Sequence, residues 1–494
     1  MNPITNRLKK CGIISINSFC GVEAFMMYTL KCPRCGRVFD LTGVNYLCRK
    51  CGMLLEYIYD YEKIDFNFKN LEDRGIWRYE RVFPKIRKRV TLGEGKTPLK
   101  VAEDLAKKVG MKFLFLKDET LNPTNSFRDR AAALMVSQAL DYGYNRIVCA
   151  SNGNLGASIA AYCAKAHTHA TIIVPKATHI GKLAQMFIYN AKVVEKGETL
   201  DDSLVFIEKI VKKEKVYNAT AEHNSLTLEG QKTISFEIVE EIDVPDWVIV
   251  PMGSGGTIYS IWKGFTELKK LGIIKELPRM IGVQAEGCSP IVRAFFNQKN
   301  NKYYEKQAST QALAILVRNP ANSFLALKAI RESNGLAVAV SDEEIMSAEK
   351  LLARTEGLFA EPASASTIAA LSKLLNEGTL GNDEQVVCLI TASGLKAPYV
   401  LEAIIRRGKR IGFRKNVSVK LQILKLLDIG VSYGYEIWKA LGKDITIQAV
   451  YQHLNELEEK DLIKSIWKGR RKYYQLTEKG KQVLSLLETL ILLF

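Results

Sequence analysis

No apolar run in this 494-residue chain reaches the roughly 18 residues that a membrane-spanning helix needs, so no membrane span is expected. A secretory leader is not expected either. Lys9 and Lys10 precede a mildly apolar stretch, but Asn17 and Glu23 interrupt it and no clean cleavage site follows. Residues 1–27 therefore read as an extension or a misassigned start, with Met26 and Met27 just before the first organised segment. Internal repeats and low-complexity tracts are absent, which leaves a chain of distinct globular domains. Acidic residues are in deficit: 53 Asp and Glu stand against 70 Lys and Arg, a formal net charge of +17. That excess attracts anions, nucleic acid among them. A disulfide framework is also missing. Of ten cysteines, four form two CxxC units and the rest are scattered, which points to a reducing, cytoplasmic compartment. Cys149, Cys163 and Cys388 sit in apolar runs and are expected to be buried thiols.

What is present suggests two to four domains. Residues 28–60 hold the CxxC pairs among short strand-like pieces. Residues 61–405 alternate β-branched runs (Ile147–Ala150, Thr171–Val174, Trp247–Val250, Met280–Gln284, Val386–Thr391) with helical patterns such as Arg130–Asp141 and Leu155–Ala166. That alternation predicts an α/β fold of two lobes, with parallel sheets covered by helices on both faces. Residues 406–416 are a basic linker, and 417–494 have their own helical periodicity.

Cys32, Cys35, Cys48 and Cys51 form two knuckles, each followed by a glycine, Gly36 and Gly52. A tight turn brings both sulfurs of a knuckle to one side, and glycine permits the positive φ that the turn needs. Two facing knuckles supply four thiolates to a tetrahedral Zn²⁺, a closed and therefore structural site. So small a module needs such a staple.

The loop Gly253-Ser254-Gly255-Gly256-Thr257 follows an apolar strand and precedes a helical pattern, Ile258–Leu268. Backbone N–H groups at a helix N-terminus, with glycines allowing close approach, make a phosphate cradle. Around it stand Gly93–Leu99, Leu116–Glu119, Asn122–Arg130, Ala150–Asn154, Leu228–Thr233, Val283–Gly287, Glu361–Ser364 and Thr391–Lys396. In that order these segments resemble the threonine synthases, pyridoxal-phosphate enzymes of fold-type II, some of which carry an amino-terminal cysteine ribbon. The resemblance implies a pyridoxal phosphate whose phosphate lies on Gly253–Thr257, whose pyridine hydroxyl meets Asn154 and whose ring nitrogen meets Thr391.

One position departs from the resemblance. The family motif is Ser-Phe-Lys-Asp-Arg, its lysine bonding the cofactor aldehyde; here the chain reads Ser126-Phe127-Arg128-Asp129-Arg130. A lysine amine can lose its proton and attack an aldehyde, whereas a guanidinium stays protonated with delocalised lone pairs. Lys117, Lys182 and Lys232 match lysines that the ordinary enzymes also have, so relocation of the role is not expected. Asn125 stands where the family keeps Gly, Asn152 and Leu155 where it keeps hydroxyl residues, and Ser393 where it keeps His. A leucine cannot donate a hydrogen bond to a substrate carboxylate. Arg128 can still grip phosphate or carboxylate, so any pyridoxal phosphate is expected to be held without a covalent bond.

Beyond the linker, Val419–Leu427 and Tyr433–Trp438 are helical, and Thr446 caps a helix over Ile447–Lys460 with Val450, Leu454 and Leu457 inward and Gln448, Gln452 and Asn455 outward. Leu462–Trp467 and Lys472–Leu476 flank a turn, Lys468-Gly469-Arg470-Arg471, and a last helix covers Gln482–Leu493. With Tyr433-Gly-Tyr-Glu436 and Arg471–Gly480, this resembles a PadR-type winged helix. The resemblance implies DNA as a partner, contacted by Gln448 and Gln452 on bases and by Lys468, Arg470, Arg471 and Lys472 on phosphates. It also implies a homodimer, with Leu486, Leu487, Leu490 and Leu493 on its seam.

The expectation is a DNA-binding transcriptional regulator that senses a small effector (an amino acid, a phospho-amino acid or pyridoxal phosphate) with a scaffold that has lost lysine catalysis. The competing reading is an active threonine synthase, or a related β/γ-replacement lyase, with an accessory DNA-binding domain. A third is a cofactor-binding protein that uses the winged helix for protein contacts.

Overall fold

In the computed structural model the described residues are 28–39, 41, 46–68, 75–176, 178–297, 304–305, 307–397, 414–442, 445–469 and 471–492. The amino-terminal extension, linker residues 406–413, Arg470 and Leu493 lie outside them, as do the side chains of Lys468, Leu486, Leu487 and Leu490.

Two parallel sheets organise the main body. The larger has six strands in the order Leu336–Val340, Arg279–Ala285, Trp247–Pro251, Gln385–Ile390, Phe113–Asp118 and Leu99–Val101. All pairs are parallel except the last, where Leu99–Val101 runs antiparallel at the edge. The smaller has four parallel strands, Lys192–Glu195, His169–Val174, Arg146–Ala150 and Tyr217–Asn218. Strands Trp247–Pro251 and Gln385–Ile390 have almost no polar residue because helices cover both of their faces. In this body the expected strands and the helices expected at Arg130–Asp141 and Leu155–Ala166 form within two residues, since β-branched runs and helical patterns here agree with the burial they meet; in the carboxy-terminal module the helices expected from Val419 and Gln482 begin earlier, at Arg414 and Glu478.

The Cys module is a three-stranded antiparallel sheet, Tyr28–Lys31, Val38–Phe39 and Glu56–Tyr59. It docks through tyrosines. Tyr59 Oη donates to Glu229 Oε2 at 2.7 Å and Tyr61 Oη to Glu267 Oε1 at 3.1 Å. Ser225 Oγ donates to Leu55 O at 2.5 Å. Glu229 and Glu267 belong to a buried quartet with Lys232 and Lys263, joining helices Leu226–Ile242 and Gly256–Lys270. Desolvating four such charges is costly, and the alternation of sign offsets it; removing one member would leave a buried charge unpaired.

The carboxy-terminal module begins with a helix over Arg414–Asp428, so helix starts three residues inside the stretch read as linker. Helices Gly434–Ala440 and Ile447–Glu459, a hairpin of Ile463–Lys468 with Arg471–Leu476, and helix Glu478–Leu492 follow. Thr446 Oγ1 caps the third helix by accepting from Ala449 N at 3.2 Å. Val450, Leu454 and Leu457 are buried in a separate small core. Gln482 Nε2 donates to Val193 O at 3.3 Å, on the edge strand of the smaller sheet. Among the described residues no helix is long and apolar enough to cross a membrane.

Candidate functional site

The site lies at the carboxyl ends of the strands, where α/β sheets gather ligand loops. Gly253–Gly255 leaves the central strand Trp247–Pro251 and opens the helix Gly256–Lys270. Gly255 sits at φ +93°, and a Cβ there would lie 2.8 Å from Ala326 Cβ and 3.0 Å from Asn322 O. Only glycine fits, and among the described residues its helix carries no side-chain cap. Asn322 braces the loop from behind, its N–H donating to Ser254 O at 3.0 Å.

Arg128 is the first residue of the helix Arg128–Asp141. The turn before it is tied down on both sides. Phe127 N donates to Thr391 O at 3.0 Å, and Thr124 N and Oγ1 both donate to the Asp129 carboxylate at 2.7 Å. Asn125 adopts φ +59°, the left-handed conformation that asparagine tolerates better than most residues. The Arg128 side chain lines one cavity with Glu222, Thr227, Ser254, Thr257 and Asn322. Its guanidinium lies 4.6 Å over the Phe127 ring and has no hydrogen bond or ion pair with a described residue. Burial lowers its pKa, against the opposing pull of Glu222. Glu222 is itself buried, and Ser254 Oγ donates to its Oε1.

Asn154 opens the helix Asn154–Lys165. Its Nδ2 donates to Glu361 Oε1 at 2.8 Å, while its buried Oδ1 has no partner among the described residues. Thr391 Oγ1 is 2.8 Å from Ser364 Oγ. Lys182 runs across Gly153, where a Cβ would fall 2.2 Å from Lys182 Cδ, and its Nζ pairs with Glu361 at 3.2 Å. Lys117 is paired with Glu237 at 2.9 Å and Lys232 with Glu229 and Glu267. These three lysines are thus held in ion pairs. A fourth amine, Lys396, is buried against Thr124 O at 2.5 Å, and burial draws its pKa down to about 8. Leu155 is buried in the core, and Asn152 Nδ2 donates to Leu313 O at 3.2 Å. Ser393 Oγ accepts from Leu395 N as the cap of a short turn.

The cavity residues Glu222, Thr227 and Asn322 carry no motif, and their place could not be read in the sequence. Glu222 follows a strand of only two residues, too short to show periodicity.

The four module cysteines converge. Their sulfurs all lie within 4.8 Å of one another, with Cys32 Sγ 3.5 Å from Cys51 Sγ and Cys35 Sγ 3.6 Å from Cys48 Sγ. Gly36 and Gly52 have φ of +70° and +67°. Each closes its knuckle by donating to Cys32 O at 2.9 Å and to Cys48 O at 2.8 Å. The cluster can hold one metal ion.

In the winged module Gln448 and Gln452 are exposed on one helix, Gln452 Nε2 reaching Glu456 Oε1 at 3.2 Å. Arg471 is exposed at the hairpin, 5.4 Å over the Tyr433 ring. Lys472 is different: its Nζ is paired with Glu458 at 2.9 Å and is only partly open to solvent.

Residues 90–392 match the family described as pyridoxal-phosphate dependent enzyme, and residues 423–486 match the PadR-like family of transcriptional regulators. The chain belongs to the pyridoxal-phosphate dependent enzyme family and carries a PadR-like domain at its carboxyl end. Within that family it is similar to threonine synthases. That of Methanocaldococcus jannaschii is 44% identical over 407 residues, 80% of this chain and 99% of the relative. That of Methanosarcina acetivorans is 44% identical over 377 residues, 75% and 93%. Among solved structures, an L-serine ammonia-lyase of Rhizomucor miehei has a TM-score of 0.55 at 21% identity, covering 63% of this chain and 97% of that one. Maize serine racemase has 0.55 at 18%, covering 64% and 93%. Both share the fold.

The family implies pyridoxal phosphate, and the site fits it in part. The glycine cradle suits a phosphate, and the orphaned Asn154 Oδ1 suits a donor such as a ring hydroxyl. The position that should offer an amine offers a guanidinium instead, so the chemistry of the aldehyde has no match at Arg128.

Proposed function

We propose that this protein is a ligand-sensing DNA-binding transcriptional regulator whose enzyme fold has lost covalent lysine catalysis. The observation that carries this reading is Arg128 at the head of its helix, lining the same cavity as the glycine loop. There it serves anion binding. Gly253–Thr257 and Arg128 would hold an anionic group, and Asn154 and Thr391 would orient a ring if pyridoxal phosphate is the ligand. The four cysteines would hold a structural Zn²⁺ that fastens the amino-terminal module. Gln448 and Gln452 would meet base edges, and Lys468, Arg470 and Arg471 the phosphates, with Lys472 drawn back by Glu458. A cytoplasmic homodimer would present two wings to one operator.

A second reading, an active threonine synthase or related lyase with an accessory DNA-binding domain, rests on the 44% identity to a threonine synthase over nearly that relative's full length. Borohydride treatment of the protein mixed with pyridoxal phosphate separates the two. The regulator reading expects no lysine adduct by mass spectrometry. An adduct accompanied by phosphate release from phosphohomoserine supports the lyase.

A further inference from the structure

The chain has five tryptophans, and four of them are covered. Trp77, Trp247 and Trp262 are buried in the main body. Trp438 is partly buried, its Nε1 donating to Ile445 O at 2.8 Å. Trp467 is 67% exposed, at the end of the hairpin in the winged module. Single exposed apolar residues are common, so the exposure matters here only because of its place and its neighbours.

Side chains alternate across the hairpin of Ile463–Lys468 with Arg471–Leu476. Ile463, Ser465 and Trp467 share one face with their cross-strand partners Leu476, Tyr474 and Lys472. Ile463 and Tyr474 are buried in the core of the module. Ser465 Oγ donates to Glu458 at the end of helix Ile447–Glu459, and Lys472 Nζ pairs with the same glutamate. Trp467 is the next residue outward, on the side of the hairpin that carries the helix with Gln448 and Gln452. Gly469 turns the chain at φ +61°, and among the described residues nothing stands within 4 Å of where its Cβ would lie. The tip therefore projects freely.

From Leu462 to Thr477 the chain has five Lys and Arg and no Asp or Glu. Lys464 and Arg471 are exposed, and so is Ile466 beside the indole. The tip is thus apolar at its centre and cationic around it. Stacked bases lined by phosphates are complementary to both properties. A second copy of this chain would set like charges against each other. The exposed amides of Gln448 and Gln452, on the same side, suit base edges and gain nothing from lipid chains.

We propose that Trp467 is a wedge: its indole enters a groove of the DNA, packs against the bases and partly unstacks one step, bending the duplex while the surrounding cations take the phosphates. This rests on the DNA-binding part of the regulator reading and adds a contact that carries no charge. That difference has a signature. Each phosphate neutralised by a cation steepens the salt dependence of binding, whereas an apolar wedge releases no counterion and leaves the slope alone.

The natural full-length protein carries its own probe, because Trp467 is the one exposed tryptophan. When it is titrated at low salt with a duplex of its own promoter, acrylamide quenching of tryptophan fluorescence should fall. Trp467→Ala should lack that change and bind the duplex roughly tenfold or more weakly, as loss of an aromatic contact with a base does, at an unchanged log–log salt slope. The bend, read by energy transfer between dyes on the duplex ends, should relax in Trp467→Ala and persist in Trp467→Phe. Circular dichroism and melting temperature should match the natural protein; where a variant does not fold, quenching and bending of the natural complex decide alone. A folded Trp467→Ala protein that binds and bends DNA as the natural protein does overturns the wedge. So does a loss of affinity that comes with a flattened salt slope. Shielding of Trp467 by phosphatidylglycerol vesicles but not by DNA, or shielding without DNA that dilution relieves, overturns it in favour of a lipid surface or a second copy. Failure of the natural protein to bind the duplex at low salt strikes the DNA-binding reading itself and the wedge with it, so the two failures can be told apart.

Discussion

At the scale of single residues, Arg128 was legible in the sequence because a strict motif surrounds it, and a guanidinium in a lysine's place is a chemical contradiction. Asn125 was legible too: its φ of +59° explains why a glycine or an asparagine is wanted before Ser126. Glu222 was not, since nothing local marks a glutamate that meets Ser254 only through the fold. Lys396 was visible as a motif residue, but its burial against Thr124 O was not. That burial makes a prediction. Its folded pKa of about 8 lies below the ordinary 10.5, so between these values the unfolded chain binds more protons and stability rises with pH. Below about pH 8 both states are protonated and the burial penalty is fully present. Chemical unfolding of the natural protein and of Lys396→Met across pH 7–10.5 should therefore show the natural protein gaining stability relative to the variant above pH 8. Parallel curves would refute the shift.

At the scale of elements, period and punctuation carried most of the fold. The parallel strands announced themselves as β-branched runs, and Thr446 announced its helix. The antiparallel edge strand Leu99–Val101 did not, because three residues after a proline show no periodicity. The Cys module was legible from spacing, while its tyrosine docking onto the buried quartet was not, since partners about 170 and 206 positions apart leave no local trace. If zinc fastens the module, the purified protein should carry one Zn²⁺ per chain by elemental analysis. Cys48→Ser should release it and melt at a lower temperature, roughly 2–4 °C for each kcal/mol of destabilisation. Full metal content in that variant would count against a four-sulfur site. In the winged module, the double change Arg470→Ala and Arg471→Ala should weaken binding to DNA from the protein's own promoter. It should also flatten the salt dependence by a log–log slope of about 2, near 0.9 for each phosphate no longer neutralised. Lys472→Ala should do less, because Glu458 already holds that ammonium. Equal effects would restore Lys472 to the phosphate-binding set.

At the scale of the whole molecule, an enzyme-family body and a PadR-like domain share one chain, and the function proposed requires them to communicate. Coupling requires an effector that binds two states of the protein with different affinity, and the reverse effect of DNA on the effector must be equal in size. The hydrogen bond from Gln482 to Val193 O is one physical contact between the two parts. Promoter binding measured with and without a saturating effector should differ, and effector affinity should change by the same factor when DNA is present. The overall architecture was legible because two motif sets occupy separate stretches of sequence. Their relation was not, since it depends on surface contacts that no motif encodes.

The central claim is that Arg128 ends covalent catalysis in a site that otherwise keeps its anion cradle. The most direct test is borohydride reduction with pyridoxal phosphate, followed by peptide mapping, on the natural protein and on Arg128→Lys. The account predicts no lysine adduct in the natural protein and an adduct at position 128 in the variant. An adduct on Lys396 or any other lysine of the natural protein would contradict it.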